Sequence, residues 1–386
     1  MGETWSPVEQ TLDRLVGWDT VSHRPLDAMA GWLADRAEAA GMRVERFEST
    51  PGKVNVVASA GPDITGGLGL SGHMDVVPVE GQAWTTDPFT LTARDDRLLG
   101  RGTCDMKGFI AATVEAIDGM DLQKLQRPLV LVWTHDEEVG CMGSAVLART
   151  LRAAGRTLPD AMVIGEPTSF QVANLHPGHA TYIITCTGRP AHSSRPSLGL
   201  SAIALARDVL VELGHLEQEL AEHRGFEDQL PTPHTILNVG LIRGGAAVNI
   251  IPEHCELTVG VRPLPGLTGA EVLASIEGAL AGIQAKALDN GGQVVFREAQ
   301  CSEGLHTAAD CPHVDLLLRH SPEPRLMGVP FATDAGNLST LGCSPLVFGP
   351  GSIDVAHRPD EWLTRADLAR TVDIVQDLIY RRCIAA

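Results

Sequence analysis

The chain has 386 residues, of which 44% are hydrophobic, so it can form two domains, or one large domain with a second one inserted. Its formal net charge of −18 opposes contact with phosphate backbones and anionic lipids, which excludes nucleic acid and membrane surfaces as partners. The eight cysteines include no C-x-x-C pair, and the N-terminus has neither the basic start nor the apolar run of a secretory signal. We therefore expect a cytoplasmic protein with reduced thiols.

The predicted elements begin with a helix and continue as alternating strands and helices. Apolar residues at helical spacing run from Leu26 to Ala40, and Gly41 is placed to end this helix. The next segments predict strands at KVNVVASA, GLGLSGHM, PLVLVWTH and DAMVIGEP, with helices over 106–118 and 143–154. Near-continuous apolar strands separated by helices are typical of a mostly parallel sheet covered on both faces, so the fold class is α/β.

The pattern changes near residue 177 and changes back near 299. Between these points the sequence predicts a strand, a helix, two strands, a helix over 268–285 and a final strand. This β-α-β-β-α-β order is typical of a ferredoxin-like α+β domain. After residue 299 the αβ pattern resumes with a strand at SPLVFGPG and a closing helix over 361–382. We therefore expect one domain formed by 1–176 and 299–386, with an α+β domain over 177–298 inserted into it.

Side chains that bind metals recur where the predicted parallel strands end. They are His73, Asp75, Asp105, Glu137, Glu138, Glu166 and His357. In open α/β sheets, ligands bind outside the carboxyl ends of the strands, so we expect these loops to converge on one crevice. Each residue taken alone has a plainer interpretation: Asp105 caps a helix, Glu137 and Glu138 form a solvated acidic turn, and a single histidine is a surface or packing residue.

Taken together, these side chains suit two zinc-like ions that share a bridging ligand. With Asp105 as the bridge, one ion takes His73 and Glu166, and the other takes Glu138 and His357. Two dications then balance the three carboxylates and a shared hydroxide, so the charges can be buried in a cleft. We expect two divalent ions, zinc first and cobalt as the alternative.

Two acids remain for other roles. Asp75 lies two residues from His73, so in an extended segment both side chains point the same way and the carboxylate can hold the imidazole N–H. Glu137 is adjacent to Glu138 and should point away from the metal-bound carboxylate. We expect Glu137 to be the general base, which takes a proton from water and later delivers it to a leaving amine.

Six motifs share the order and approximate spacing of a known family. They are SGHMDVVP, GRGTCDMKG, THDEEVGCMGS, GEPT, RPAHSSRP and GPGSIDVAHRPDEW. The chain thus resembles the M20 family of zinc-dependent peptidases and amidohydrolases. The resemblance implies a catalytic domain split by a lid domain that often forms a dimer interface, hence a homodimer. It implies the same ligand roles, and a cis peptide bond between Asp105 and Met106.

The inserted domain supplies three further candidates by this resemblance. His192 in RPAHSS resembles a histidine that reaches across the dimer to polarise the scissile carbonyl group. Asn249 and Arg262 resemble substrate-binding positions. Alternation in CELTVGVR also places Arg262 on the polar face of its strand, where a guanidinium can clamp a substrate carboxylate; the alternative is a solvated edge arginine.

The C-terminal segment bears on the substrate. The stretch FATDAGNLSTLGCSPLVFGPG is more similar to the acetylornithine deacetylase branch than to the desuccinylases, and Glu166 in GEPT fits that branch. We therefore expect hydrolysis of the small molecule N2-acetyl-L-ornithine to ornithine and acetate, a step of arginine biosynthesis. Alternatives are a succinyl-diaminopimelate desuccinylase, another N-acyl-amino-acid deacylase or peptidase, and a non-enzymatic homologue. Asp334 either binds the cationic δ-amine of the substrate or structures its loop.

Overall fold

A computed structural model describes residues 4–385. The helices are α1 (Pro7–Val16), α2 (Asp27–Ala39), α3 (Gly108–Asp118), α4 (Met142–Ala153), α5 (Ala202–Glu222), α6 (Gly269–Asp289), α7 (Val314–Leu318), α8 (Asp334–Ser339) and α9 (Arg365–Ile379). The strands are β1 (Arg43–Thr50), β2 (Lys53–Ala60), β3 (Leu68–His73), β4 (Thr92–Arg94), β5 (Arg97–Leu99), β6 (Leu129–Thr134), β7 (Ala161–Ile164), β8 (Val172–His176), β9 (His179–Thr187), β10 (Ile236–Gly244), β11 (His254–Arg262), β12 (Gln293–Ser302), β13 (Leu305–His306), β14 (Leu326–Gly328), β15 (Ser344–Val347) and β16 (Trp362–Thr364).

The chain forms two compact units. The first takes in the residues up to Leu175, together with Leu305–Gly328 and the chain from Thr333 onward. The second comprises His176–Gly304 and Val329–Ala332, where the sequence predicts an inserted domain over 177–298. The α/β fold class predicted from the sequence is confirmed.

The first unit is built on a mixed sheet with the order β1-β2-β6-β3-β7-β15-β8-β13. In its centre, β6, β3, β7 and β15 run parallel, and β3, β6 and β7 are buried along their whole length. This burial explains their continuous apolar sequences, because helices cover both faces of a parallel sheet. The hairpin β1–β2 adds antiparallel strands at one side. Since the central strands are parallel, their carboxyl ends lie along one edge of the sheet.

The closing helix and α1 differ from the sequence prediction, and β4, β5, β8, β13, β14, α7 and α8 are also not among the predicted elements. The closing helix starts at Arg365 rather than 361, because Trp362–Thr364 form β16, which pairs with β5. The Thr364 side chain accepts a hydrogen bond from the Asp367 N–H and caps the helix there. The helix α1 is not among the predicted elements. It follows Ser6, whose N–H donates to Glu9 Oε2 at 2.7 Å.

The second unit has the strand order β10-β11-β9-β12, and its element order β9-α5-β10-β11-α6-β12 is the one expected from the sequence. All of its strand pairs are antiparallel. Along β11, Cys255, Leu257, Val259 and Val261 are buried while the residues between them are not. This alternation arises because one face of the sheet packs on α5 and α6 and the other does not.

None of the helices within residues 4–385 is both long enough and apolar enough to span a lipid bilayer.

Candidate metal centre

The predicted ligands follow the carboxyl ends of the parallel strands. His73 is the last residue of β3, Glu138 lies four residues after β6, and Glu166 lies two residues after β7. His357 follows β15 by a longer loop, and Asp105 lies in a turn just before α3. The Asp105–Met106 peptide bond is cis, as the family resemblance implies. The convergence expected from the sequence is therefore present in the first unit.

Asp105 lies between the two histidines. Its Oδ1 is 2.9 Å from His73 Nε2, and its Oδ2 is 3.2 Å from His357 Nε2. On the second side, His357 Nε2 is also 3.0 Å from Glu138 Oε2. Asp105 is buried, and each of its carboxylate oxygens contacts a different histidine. A carboxylate with one imidazole on each side could contact two cations at once.

Glu166 and Glu137 lie on the His73 side. His73 Nε2 is 3.9 Å from Glu166 Oε1, and ligand atoms of these three residues all lie within 4.8 Å of one another. A second group of the same kind is formed by His73, Asp105 and Glu138. The adjacent residues Glu137 and Glu138 therefore contact different sides of the cluster, as their neighbouring positions in the chain predict.

The orientation of His73 is fixed by main chain rather than by a carboxylate. His73 Nδ1 lies 2.9 Å from the main-chain oxygen of Asp75, whereas the Asp75 carboxylate is 3.8 Å away. A carbonyl oxygen only accepts, so Nδ1 carries a proton, and Nε2 faces the Asp105 carboxylate. The Nε2 atom of His73 and the carboxylate oxygen of Asp105 lie 2.9 Å apart, so a proton or a cation must lie between them.

The predicted role of the Asp75 carboxylate needs correction for this reason. The prediction assumes extended chain from His73 to Asp75, but β3 ends at His73. Beyond the strand the chain turns, and the carboxylate accepts hydrogen bonds from the N–H groups of Glu137 at 3.0 Å and Glu138 at 3.2 Å. It also accepts one from Ser22 Oγ at 2.7 Å. Asp75 thus holds the turn that carries the two glutamates.

The carboxylates of the cluster are too close together to be charged without compensation. Burial and the charge of Glu166 raise the pKa of Glu137 well above its usual range, and burial and the charge of Asp105 do the same for Glu166. Burial and Asp105 raise the pKa of Glu138 to about 7. Positive charge placed among these groups would reverse these shifts.

The histidines show the complementary effect. Hydrogen bonds to Asp105 and Glu138 raise the pKa of His357 to about 10. Burial alone would lower the pKa of His73, but Asp105 and the charge of Glu166 raise it well above its usual value. The cluster therefore attracts protons to its histidines, which a divalent cation can replace.

The side chains fit two divalent ions. Glu166 Oε1 is buried and has no hydrogen-bond partner among the described residues. Burying a carboxylate oxygen in this way is unfavourable in free energy unless a cation binds to it. Imidazole nitrogen and carboxylate oxygen are the donors that zinc and similar ions accept. Asp105 with His73 and Glu166, and Asp105 with Glu138 and His357, give each ion a comparable set.

The remaining predicted residues of the inserted domain lie in the second unit. His192 is exposed, and its Nδ1 lies 2.7 Å from Ser194 Oγ. The Ser193 N–H donates to the main-chain oxygen of Asn249 at 3.0 Å, so the His192 and Asn249 segments are adjacent. Arg262 is half-buried at the end of β11 and lines a cavity of about 140 Å³ with His234.

Asp334 does not face solvent. Its side chain is 1% exposed, and its Oδ2 accepts a hydrogen bond from Thr134 Oγ1 at 2.5 Å. Burial raises the pKa of this carboxyl group. A side chain enclosed in this way cannot reach a substrate amine in this conformation. Of the two roles left open by the sequence, the geometry favours the structuring of its loop.

Sequence reasoning did not assign roles to two buried residues beside Asp105. The Glu361 carboxylate accepts hydrogen bonds from the N–H groups of Cys104 and Asp105, and Lys107 Nζ donates to the main-chain oxygen of Trp18 at 2.9 Å. Lys107 lies in the motif GTCDMKG and Glu361 in HRPDEW, each a few positions from a predicted ligand. That proximity is the signal that could have identified them.

Comparison with known proteins identifies the family. The model of peptidase family M20/M25/M40 matches residues 69–381, which is most of the chain. The chain belongs to this family. It is an enzyme of the M20 hydrolase family, so the resemblance seen in the sequence motifs is confirmed. A curated relative, the acetylornithine deacetylase of Salmonella typhimurium, is 35% identical over 363 residues, or 92% of this chain and 90% of the relative.

Solved structures of M20 proteins share this fold. A metallo-carboxypeptidase of the M20 family from Sulfolobus solfataricus is 17% identical, with a TM-score of 0.74 over 97% of this chain and 99% of its own. A dinuclear metal-binding M20 peptidase from Bacillus subtilis is 14% identical, with a TM-score of 0.65 over 96% of each chain. At these identities the similarity shows the fold alone.

Proposed function

We propose that the protein is a metal-dependent amidohydrolase that removes the acyl group from an N-acyl amino acid, with N2-acetyl-L-ornithine as the substrate. The products are L-ornithine and acetate, a step of arginine biosynthesis. The cofactors are two divalent ions, zinc first and cobalt second. The observation that carries the proposal is Asp105, placed between His73 and His357 with one carboxylate oxygen toward each.

Each side chain of the cluster has one task in this proposal. Asp105 would contact both ions, His73 and Glu166 would hold one of them, and Glu138 and His357 would hold the other. When bound, such ions lower the pKa of a shared water and polarise the acyl carbonyl group. Asp75 keeps the turn of the two glutamates in place through their N–H groups.

Glu137 is the general base and acid. Its carboxylate lies beside His73 and Glu166, where it can accept a proton from water. It takes a proton from the attacking water on the His73 side of the cluster. It then gives that proton to the nitrogen of the departing amine, so no covalent enzyme intermediate is required.

We also propose three substrate contacts on the basis of the sequence resemblance. His192 polarises the acyl carbonyl oxygen, Asn249 hydrogen-bonds the substrate, and Arg262 pairs with the α-carboxylate. The alternative for Arg262 is a solvated arginine. Its place in the wall of a cavity, rather than on open surface, supports the binding role.

A homodimer through the second unit forms part of the proposal. The strand β10 is at the edge of its sheet and exposes large apolar side chains, including Leu241, Ile242 and the nearby Val248. An exposed apolar sheet edge is a ready template for another strand. In such a dimer, His192 acts on the substrate held by the partner subunit.

The choice of acyl group rests on the relatives. Proteins that share 35% identity with most of this chain carry the name acetylornithine deacetylase, which supports acetylornithine ahead of succinyl-diaminopimelate and of peptides. A desuccinylase, another deacylase and a peptidase differ in the acyl or amine part of the substrate. A non-enzymatic homologue is disfavoured because the sequence retains each residue expected as a ligand and the residue expected as the base.

The test is a substrate panel with the zinc- or cobalt-loaded protein. It contains N2-acetylornithine, N-acetylcitrulline, N-acetylmethionine, N-succinyl-diaminopimelate and a tripeptide, with release of acetate, succinate or an amino acid measured. The highest kcat/KM is expected for acetylornithine. N2-acetylornithine amide lacks the carboxylate. Its KM should be higher than that of N2-acetylornithine for the wild type, whereas the two KM values should be similar for Arg262→Ala. Activity on peptides alone, or on no member of the panel, would contradict the proposal.

A further inference from the structure

The carboxylate of Glu361 holds the main chain on which Asp105 lies. Its Oε1 accepts hydrogen bonds from the N–H of Cys104 at 2.9 Å and of Asp105 at 3.0 Å. Its Oε2 accepts one from Arg101 Nη1 at 2.6 Å. Glu361 and Arg101 are each 1% exposed. Charge-assisted hydrogen bonds shielded from water are strong and directional, so the backbone of Asp105 is fixed by this pair.

Gln82 extends these contacts to His357. Its Oε1 accepts hydrogen bonds from Arg101 Nη2 at 2.6 Å and from Trp84 Nε1 at 3.0 Å. Its Nε2 donates to the main-chain oxygen of His357 at 2.9 Å. Guanidinium and indole groups only donate and a carbonyl only accepts, so the orientation of the amide is determined by its neighbours. A continuous path of hydrogen bonds thus joins Asp105 to His357.

The backbone of His357 needs such support. Its φ angle is +61°, in the left-handed region that side-chain-bearing residues enter at a cost in free energy. Its side chain is 48% exposed, so packing gives it limited support. The hydrogen bond from Gln82 holds the carbonyl group of this residue in place.

We propose that Gln82 is a positioning residue that sets the metal affinity of the position formed by Asp105, Glu138 and His357. This inference rests on the proposed dinuclear function and extends it to a residue outside the ligand set. The other position is anchored separately, because His73 is oriented by the main-chain oxygen of Asp75. Removing the Gln82 contact should therefore weaken one metal position and leave the other unchanged.

Two variants of Gln82 and one control test this selectivity. Gln82→Glu keeps an acceptor for Arg101 but places an oxygen opposite the His357 carbonyl group. Gln82→Leu removes all three hydrogen bonds. The control is Gln10→Leu, which removes another glutamine Nε2 hydrogen bond to a main-chain oxygen, that of Trp5 at 3.0 Å. Gln82 is half-buried, so these variants are expected to fold.

The measurement is zinc binding to the metal-free chain in a metal-buffered dialysis series, with bound zinc counted by mass spectrometry. For the wild type and Gln10→Leu, two ions per chain are expected. For both Gln82 variants, the first ion should bind as in the wild type and the second about tenfold more weakly or worse, the usual effect of losing an outer contact. Unchanged binding, or equal weakening of both ions, would overturn the role of Gln82. A wild type that binds fewer than two ions would overturn the dinuclear centre itself.

Discussion

The carboxylate of Asp75 accepts a hydrogen bond from the main-chain N–H of Glu137, with 3.0 Å between Oδ1 and N. The other carboxylate oxygen accepts from Glu138 N and Ser22 Oγ. Asp75 is fully buried, so water cannot serve as the acceptor for these donors if the carboxylate is removed. The position of the proposed base therefore depends on a negatively charged acceptor beneath its turn.

Asp75→Asn should damage both stability and turnover. An amide offers one acceptor and directs its NH2 group at a donor, so a buried N–H loses its partner at a cost of about 2 kcal/mol. We expect the free energy of unfolding to fall by that amount and kcat to fall at least tenfold. The control Asp87→Asn alters an exposed aspartate that accepts from Phe89 N and Thr90 Oγ1. If both variants behave alike, Asp75 has no special role in the turn.

Glu137→Gln should abolish turnover without loss of metal. The amide cannot accept a proton from water, and a general base contributes on the order of 100-fold or more to kcat. The adjacent Glu138→Gln is the matched comparison, because it should lose one of the two ions as well as activity. Metal content by mass spectrometry and acetate release distinguish the two cases. Substantial activity in Glu137→Gln would mean that another group is the base.

Mixed dimers test the proposed action of His192 on the partner subunit. Glu137→Gln and His192→Ala homodimers should each be inactive. A dimer with one chain of each kind contains one site with both an intact Glu137 and an intact His192 from the neighbouring chain. Co-expression with two affinity tags allows its purification, and about half of the wild-type activity per dimer is expected. Mixed dimers as inactive as their parents would place His192 in its own subunit's site or outside it.

The stability of the folded chain should depend on the protonation of His176, the last residue of β8. Burial lowers the pKa of His176 from 6.5 to about 4. Below pH 6.5 the unfolded chain therefore binds a proton that the folded chain excludes, and stability present above pH 6.5 is lost as the pH falls toward 4. The loss from this group between pH 7 and about 4.5 is on the order of 2 kcal/mol.

His176→Asn removes this titration and keeps a donor for the main-chain oxygen of Pro177. The difference in unfolding free energy between wild type and variant should shrink as the pH is lowered, measured by denaturant unfolding at several pH values. His215→Asn, at an exposed histidine, is the control. A difference that does not change with pH would contradict the buried neutral histidine.

The positions of the proposed ligands nearest to the sheet are predictable from the sequence alone. His73, Glu138 and Glu166 follow apolar parallel strands within a few residues, and the parallel arrangement brings strand ends together. Asp105 and His357 lie in longer loops whose path no periodicity encodes. Their place in the cluster followed from balancing charge and counting ligands, and from the M20 resemblance.

The differences from the sequence prediction have local physical causes. Pairing the Asp75 carboxylate with His73 requires extended chain, but the strand ends at His73. The sequence leaves two roles open for Asp334, and its burial and its hydrogen bond to Thr134 favour the structural one. The contact of Gln82 with His357 joins residues 275 positions apart, and such a loop-to-loop hydrogen bond leaves no pattern in the sequence.

The most direct test of the central claim is a crystal structure of the zinc-loaded protein, with anomalous diffraction recorded at the zinc edge. The account predicts two anomalous peaks per chain, one on each side of the Asp105 carboxylate and about 3.5–4 Å apart. The first should contact His73 and Glu166, and the second Glu138 and His357. A fully loaded chain with zinc elsewhere, or with no zinc beside Asp105, would contradict the account.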